Sequence, residues 1–202
     1  MSDIATGHFH PNGGGWVADT ASVDATAIIG PEAIVGEGAI VGARAIVGEG
    51  AIIGERVVVG AGAYIGVGAY VGEGAHIGAR ATVREGAIVG ARAIVGARAD
   101  IWKDAYIGAR AIVGEDADVA RAYIRKGAYI GARAIVEDGV CIGARAIVGE
   151  GANIGEGAYV GEGAVVGEGA VVGERATVGP RARVVAGAIV GDGAHVGKES
   201  RS

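Results

Sequence analysis

The sequence predicts an all-β fold: one solenoid of short parallel strands, with about ten triangular coils of three six-residue units each. Three observations carry that expectation. Counting from Val17 in steps of six, every position through Val119 is Val or Ile; after one missing residue the count resumes at Ile124 and continues to Val196. The fifth place is Ala in nearly all units, with Val57 and Val140 among the exceptions. The place after the Val or Ile is mostly Gly. Self-similarity at a short fixed period marks a solenoid, in which each unit buries its apolar face only against its neighbours.

The chain divides into a lead-in over residues 1–15, the repeat over 16–197 and a polar tail over 198–202. Gly7-His8-Phe9-His10-Pro11, followed by Asn12-Gly13-Gly14-Gly15, reads as an irregular segment with a glycine hinge. His8 and His10 stand at the i, i+2 spacing of a metal-binding pair, but a flexible terminus is the favoured reading. The first coil has an open edge, which Phe9 or Trp16 is placed to cover. The tail is expected to fray.

Within the repeat, what each place tolerates tells which side faces in. In Ala39-Ile40-Val41-Gly42 the alternation of a strand puts Ala39 and Val41 on one face, Ile40 and Gly42 on the other. The Val41 class never holds a polar residue, whereas the Ile40 class includes His76, Thr82, Asp100, Asp118, Asn153, Arg183 and His195. An unpaired charge is costly to bury. The tolerant place therefore looks outward, and Val, Ile and Ala fill the interior. Two-residue corners such as Glu-Gly and Ala-Arg separate the strands; Gly accepts the positive φ of a tight turn there, and charged side chains keep the corner wet. With strands about 4.8 Å apart, the coils stack into a rod roughly 50 Å long.

The pattern (Val/Ile)-Gly-x-x-Ala-x, as in Val35-Gly36-Glu37-Gly38-Ala39-Ile40, resembles that of the hexapeptide-repeat superfamily from Val17 to Val196. This is the left-handed parallel β-helix of hexapeptide acyltransferases and γ-class carbonic anhydrases. The resemblance implies the left hand, against the right-handed rule for crossovers between parallel strands, and a homotrimer as the usual assembly. Near-identical units over such a length fit either recent duplication or a consensus design.

Activity does not follow from the coil, because function lives in sites grafted on folds. A γ-carbonic anhydrase needs three zinc-binding His, and here the coil carries His76 and His195, on different faces and far apart. A hexapeptide acyltransferase uses a His as general base within walls borrowed from loops or a neighbouring subunit. His76, between Val58 and Ile94 in its column, is the mid-coil candidate, with no carboxylate obviously placed to orient it. An ice-binding ladder would want rows of Thr, and only Thr82 and Thr177 look outward. The expectation is a structural, self-associating rod with no catalytic residue, cofactor or metal. The alternative is an acyl-CoA-dependent transferase using His76 at a subunit interface.

Taking every third unit sorts the outward residues onto three faces. The first carries Trp16, Ile34, Ile52, Tyr70, Ile88, Tyr106 and Tyr123 and ends at His195; the second runs through Ile40, Val58, His76, Ile94, Ile112 and Tyr129. Apolar ladders on wet faces suggest an interface between copies, while strand propensity alone also favours such residues. The third face is interrupted. Arg84, Trp102, Ala120 and Glu137 replace its outward Gly in successive coils, beside Thr82, Asp100 and Asp118. Asp100 and Asp118 should repel unless a cation, Arg84 or Lys103 lies between them, and Arg84 over Trp102 allows a cation–π contact. A solvated polar stripe that keeps this face out of an interface is the favoured reading; Arg84, Asp100, Trp102, Asp118 and Glu137 are the candidate residues if it holds a ligand.

The net charge of −5 argues against a nucleic-acid partner. No apolar run long enough to span a membrane occurs, and the N-terminus lacks the pattern of a signal peptide. The lone Cys141, in the outward class, fits a free thiol in the cytoplasm.

Overall fold

The computed structural model describes residues 6–197. The repeat forms a triangular parallel β-helix. After β1 (Gly7–Phe9) and β2 (Trp16–Ala18), strands of two residues each follow at every unit, from β3 (Ser22–Val23) to β32 (His195–Val196). Every third strand pairs, which builds one twelve-stranded face and two ten-stranded faces. The faces are those expected: Tyr70 lies between Ile52 and Ile88, His76 between Val58 and Ile94, and Asp100 between Thr82 and Asp118.

The interior is one continuous column of Val, Ile and Ala, running from Val17 to Val190. Val41 is 1% exposed and Ile40 beside it 50%, so the inside–outside assignment holds. Val57 and Val140, which stand where Ala is usual, are fully buried. The frequent Gly after each core residue has a packing cause. A Cβ on Gly36 would stand 2.8 Å from the carbonyl carbon of Gly54 in the next coil, closer than nonbonded atoms approach.

The corners differ from the expectation in one respect. From Glu32 onward the second residue of each two-residue corner has positive φ whether it is Gly or not: Gly38 has φ 63° and Arg44 has φ 56°. Arg, Asp and Glu therefore hold a left-handed conformation that a Cβ disfavours. Most corners close with a bond from the Ala N–H back to the carbonyl three residues before, as in Ala39 N to Gly36 O at 3.2 Å, the form of a turn that demands φ > 0 at its third residue. The second corner residue also donates its N–H to the coil before, as Arg56 N does to Glu37 O at 2.8 Å.

The five-residue step from Val119 to Ile124 is a one-residue corner. The Ala122 N–H reaches the Ala120 carbonyl at 2.6 Å, a tighter closure than elsewhere, and pairing continues without a shift, Tyr106 with Tyr123 and Asp118 with Ile135. Arg121 makes up for the missing residue: its guanidinium donates to Asp138 Oδ2 at 2.9 Å, and its backbone N–H to Asp138 Oδ1 at 3.2 Å.

The lead-in is more ordered than an irregular hinge. β1 pairs antiparallel with β2, Gly7 opposite Ala18 and Phe9 opposite Trp16, so it is backbone that covers the first edge, while Phe9 is 74% exposed. A Cβ on Gly7 would lie 2.4 Å from the Trp16 indole, which places that ring across the strand. Residues 1–5 and the tail 198–202, expected to fray, lie outside the described residues. Among the described residues no helix is long and apolar enough to cross a membrane.

Candidate functional site

The third face brings four of the five candidate residues together. Arg84 occupies an outward Gly place one coil before Asp100. There its Nε donates to Asp100 Oδ1 at 2.9 Å and its Nη2 to Oδ2, a two-pronged pair. The same guanidinium lies over the Trp102 ring, Cζ 4.4 Å from the centroid. Parallel pairing then sets Asp118 beside Asp100, one coil on.

The electrostatics follow from this stacking. The bond to Asp100 holds the Arg84 guanidinium more firmly in its charged form. The Asp118 carboxyl is pushed up, first by partial burial, against which the approach of the Trp102 indole works; the Asp100 charge adds to the push and Arg84 opposes it. Arg84 thus supplies the positive charge that two stacked carboxylates require. Lys103, the other cation considered, instead pairs with Glu85 at 3.0 Å.

Glu137 does not join this group. Its Oε2 accepts the backbone N–H of Glu156 at 3.2 Å, so it caps the corner of the following coil. No three of the described His, Cys, Asp and Glu residues converge as metal ligands. His8 and His10 do not act as a pair: the exposed His8 sits 3.4 Å from Asp19, while His10, 6% exposed, accepts the Asn12 N–H at 3.3 Å. His76 is exposed on the second face between two apolar side chains. The cluster is partly open, the Arg84 and Asp100 side chains being 42% and 30% exposed, which suits a rigid polar stripe or the binding of a small polar group better than general acid–base chemistry in a dry pocket.

Two clefts lie elsewhere, both on the corner joining the first and second faces, and sequence reading had singled out neither. One, of about 500 Å³, is lined by Arg110, Lys126, Gly127, Ala144 and Arg145. The other, of about 320 Å³, is lined by Thr20, Glu37, Gly38, Glu55 and Arg56. A tally of charge along that single corner is the signal that finds the first.

The profile of the bacterial transferase hexapeptide (six repeats) matches residues 32–67 and 151–186, and that of the hexapeptide repeat of succinyl-transferase matches residues 68–97. Comparison with curated protein sequences finds no match. Among solved structures, the chain is similar to a UDP-N-acetylglucosamine O-acyltransferase from Moraxella catarrhalis: 19% identity over 87% of this chain and 70% of that one, with a TM-score of 0.54. The Arabidopsis UDP-N-acetylglucosamine acyltransferase is 16% identical over 84% of this chain and 70% of its own, with a TM-score of 0.38. At such identities the likeness concerns the fold. The hexads from Val17 to Val196, the stacked triangular coils and the matching profiles agree: the chain belongs to the hexapeptide-repeat family of left-handed parallel β-helices.

Proposed function

We propose that this protein is a non-catalytic scaffold: a β-helical rod over residues 16–197, capped by its lead-in, that associates side by side with copies of itself, as a homotrimer. The observation that carries this reading is the pair of apolar ladders on flat faces. Ile34, Ile52, Tyr70, Ile88 and Tyr106 follow one another on the first face, and Ile94, Ile112 and Tyr129 on the second, each open to water by about two fifths. A stripe of this length favours burial against a partner, and a rod that repeats along its axis offers a matching ladder on each copy. Cys141, a half-buried free thiol, fits a reducing, cytoplasmic setting.

Sedimentation equilibrium tests the reading. The expected mass at tens of micromolar is about three times the 19.8 kDa chain. Tyr106→Lys with Ile112→Lys should return it to a monomer with an unchanged circular dichroism spectrum. A wild-type monomer at that concentration overturns the assembly.

One observation favours a second reading, an acyltransferase with its site between subunits. His76 is exposed midway along the second face, where the proposed packing brings another copy close and supplies the wall that a lone prism lacks. Acyl-CoA turnover that disappears in His76→Ala would establish this reading and remove the scaffold one.

A further inference from the structure

The corner joining the first and second faces concentrates positive charge in a protein whose net charge is −5. Over four successive coils it presents Arg92, Arg110, the neighbours Arg125 and Lys126, and Arg145, all exposed. Where neighbouring coils have Glu37, Glu55, Glu73 and Glu162 in the first place of this corner, these coils have Ala91, Ala109, Lys126 and Ala144. Among the described residues no carboxylate pairs with Arg92, Arg110, Arg125 or Lys126; Arg145 alone has a partner, Glu162. That pair is solvent-exposed and weak enough to exchange for a ligand.

A glycine opens this corner. The second corner place reads Arg92, Arg110, Gly127, Arg145 along the rod, so Gly127 leaves a gap between two guanidinium-bearing side chains. Arg145 Cγ lies 3.6 Å from where a Gly127 Cβ would be, and Arg110, Lys126 and Arg145 line the resulting cleft of about 500 Å³. The companion cleft on the same corner also forms over a glycine, Gly38, but is lined by Glu37 and Glu55 as well as Arg56. The shape recurs, and only one copy of it is cationic.

We propose that the Arg110–Lys126–Arg145 cleft binds a small polyanion with two or more adjacent phosphates. Three cations from three successive coils span roughly 10 Å at the strand spacing, which matches linked phosphates rather than a single one. Guanidinium groups bind phosphate oxygens in pairs and an ammonium adds a point charge. The row is also bounded, by Glu73 on one side and Glu162 on the other, which disfavours a long polymer such as nucleic acid. One copy of the chain lines the whole cleft, and the cleft lies on the corner between the two faces proposed to associate.

Titration calorimetry on the full chain, with inorganic pyrophosphate and with orthophosphate, tests this. Pyrophosphate should bind one per chain and about tenfold or more tighter than orthophosphate. Lys126→Glu should weaken it by a similar factor, about tenfold or more, with an unchanged melting temperature. Arg44→Ala, which removes a cation from a different corner, should leave binding as it was. Absence of pyrophosphate binding at millimolar concentration, equal affinity for the two anions, full binding by Lys126→Glu, or an equal loss in Arg44→Ala would each overturn the proposal.

Discussion

At the scale of single residues, neighbours in sequence have opposite fates. Val41 is enclosed and Ile40 half open, so Val41→Asp puts a charge where no partner exists and should abolish folding, whereas Ile40→Thr should cost less than about 1 kcal/mol. Equal losses in urea melts would contradict the assignment. The third-face cluster makes a sharper case. Arg84 already sits against the stacked carboxylates, so EDTA should leave the melting temperature unchanged, and Arg84→Ala should lower it. Asp118 is pushed above the ordinary carboxyl value of 3.8, so the folded state holds its proton more readily than the unfolded one. Its ionisation then weakens the fold as pH rises from 3.8 through the raised value, and below 3.8 both states are protonated. Asp118→Asn should therefore raise the melting temperature at pH 7, an advantage that fades as the solution is acidified below the ordinary carboxyl value. A gain that persists in acid would assign the effect to something other than this charge.

At the scale of the repeating element, two kinds of glycine do different work. Gly50 has φ 63° with open space around it, and Gly36 faces the backbone of the next coil at 2.8 Å. Gly50→Ala should cost about 1 kcal/mol for the left-handed conformation alone, and Gly36→Ala more, because it forces coils apart. Guanidinium melts of the two variants compare them directly; a smaller loss for Gly36→Ala would refute the packing cause. Side chains do occupy the Gly36-type place at Arg84, Trp102, Ala120 and Glu137, in a run of adjacent coils that change together. The sequence makes the strands, the three faces and the inward column legible, because each depends on a side-chain class recurring every six or eighteen residues. It leaves the corners less legible. Interchange of Gly with Arg shows that one backbone position serves both, but not that Arg takes positive φ. The single-residue corner at Arg121 and the side to which Glu137 turns depend on particular hydrogen bonds, which no periodicity encodes. The strand Gly7–Phe9 escapes notice for a related reason: it stands outside the period and is ordered by pairing with Trp16–Ala18.

At the scale of the whole molecule, interior and surface carry different information. The interior repeats every six residues and is nearly the same at every unit, while the surface ladders repeat every eighteen. Deleting one unit, Tyr64 to Ala69, joins Ala63 to Tyr70 and keeps the core pattern intact, but turns all later coils by one face. Thr82, Asp100 and Asp118 then continue the second face below Ile40 and Val58, and the first and second ladders are broken between the N-terminal coils and the rest. Deleting three units, Tyr64 to Ala81, removes more chain yet restores every face. Because each coil contacts only its neighbours, both variants should fold, with β-rich circular dichroism and somewhat lowered melting temperatures. Side-by-side association should respond in the opposite order to the length removed: weaker after the six-residue deletion and near wild type after the eighteen-residue one. Sedimentation equilibrium of the two proteins decides it, and an association constant that simply tracks chain length would show that the apolar ladders do not hold the copies together.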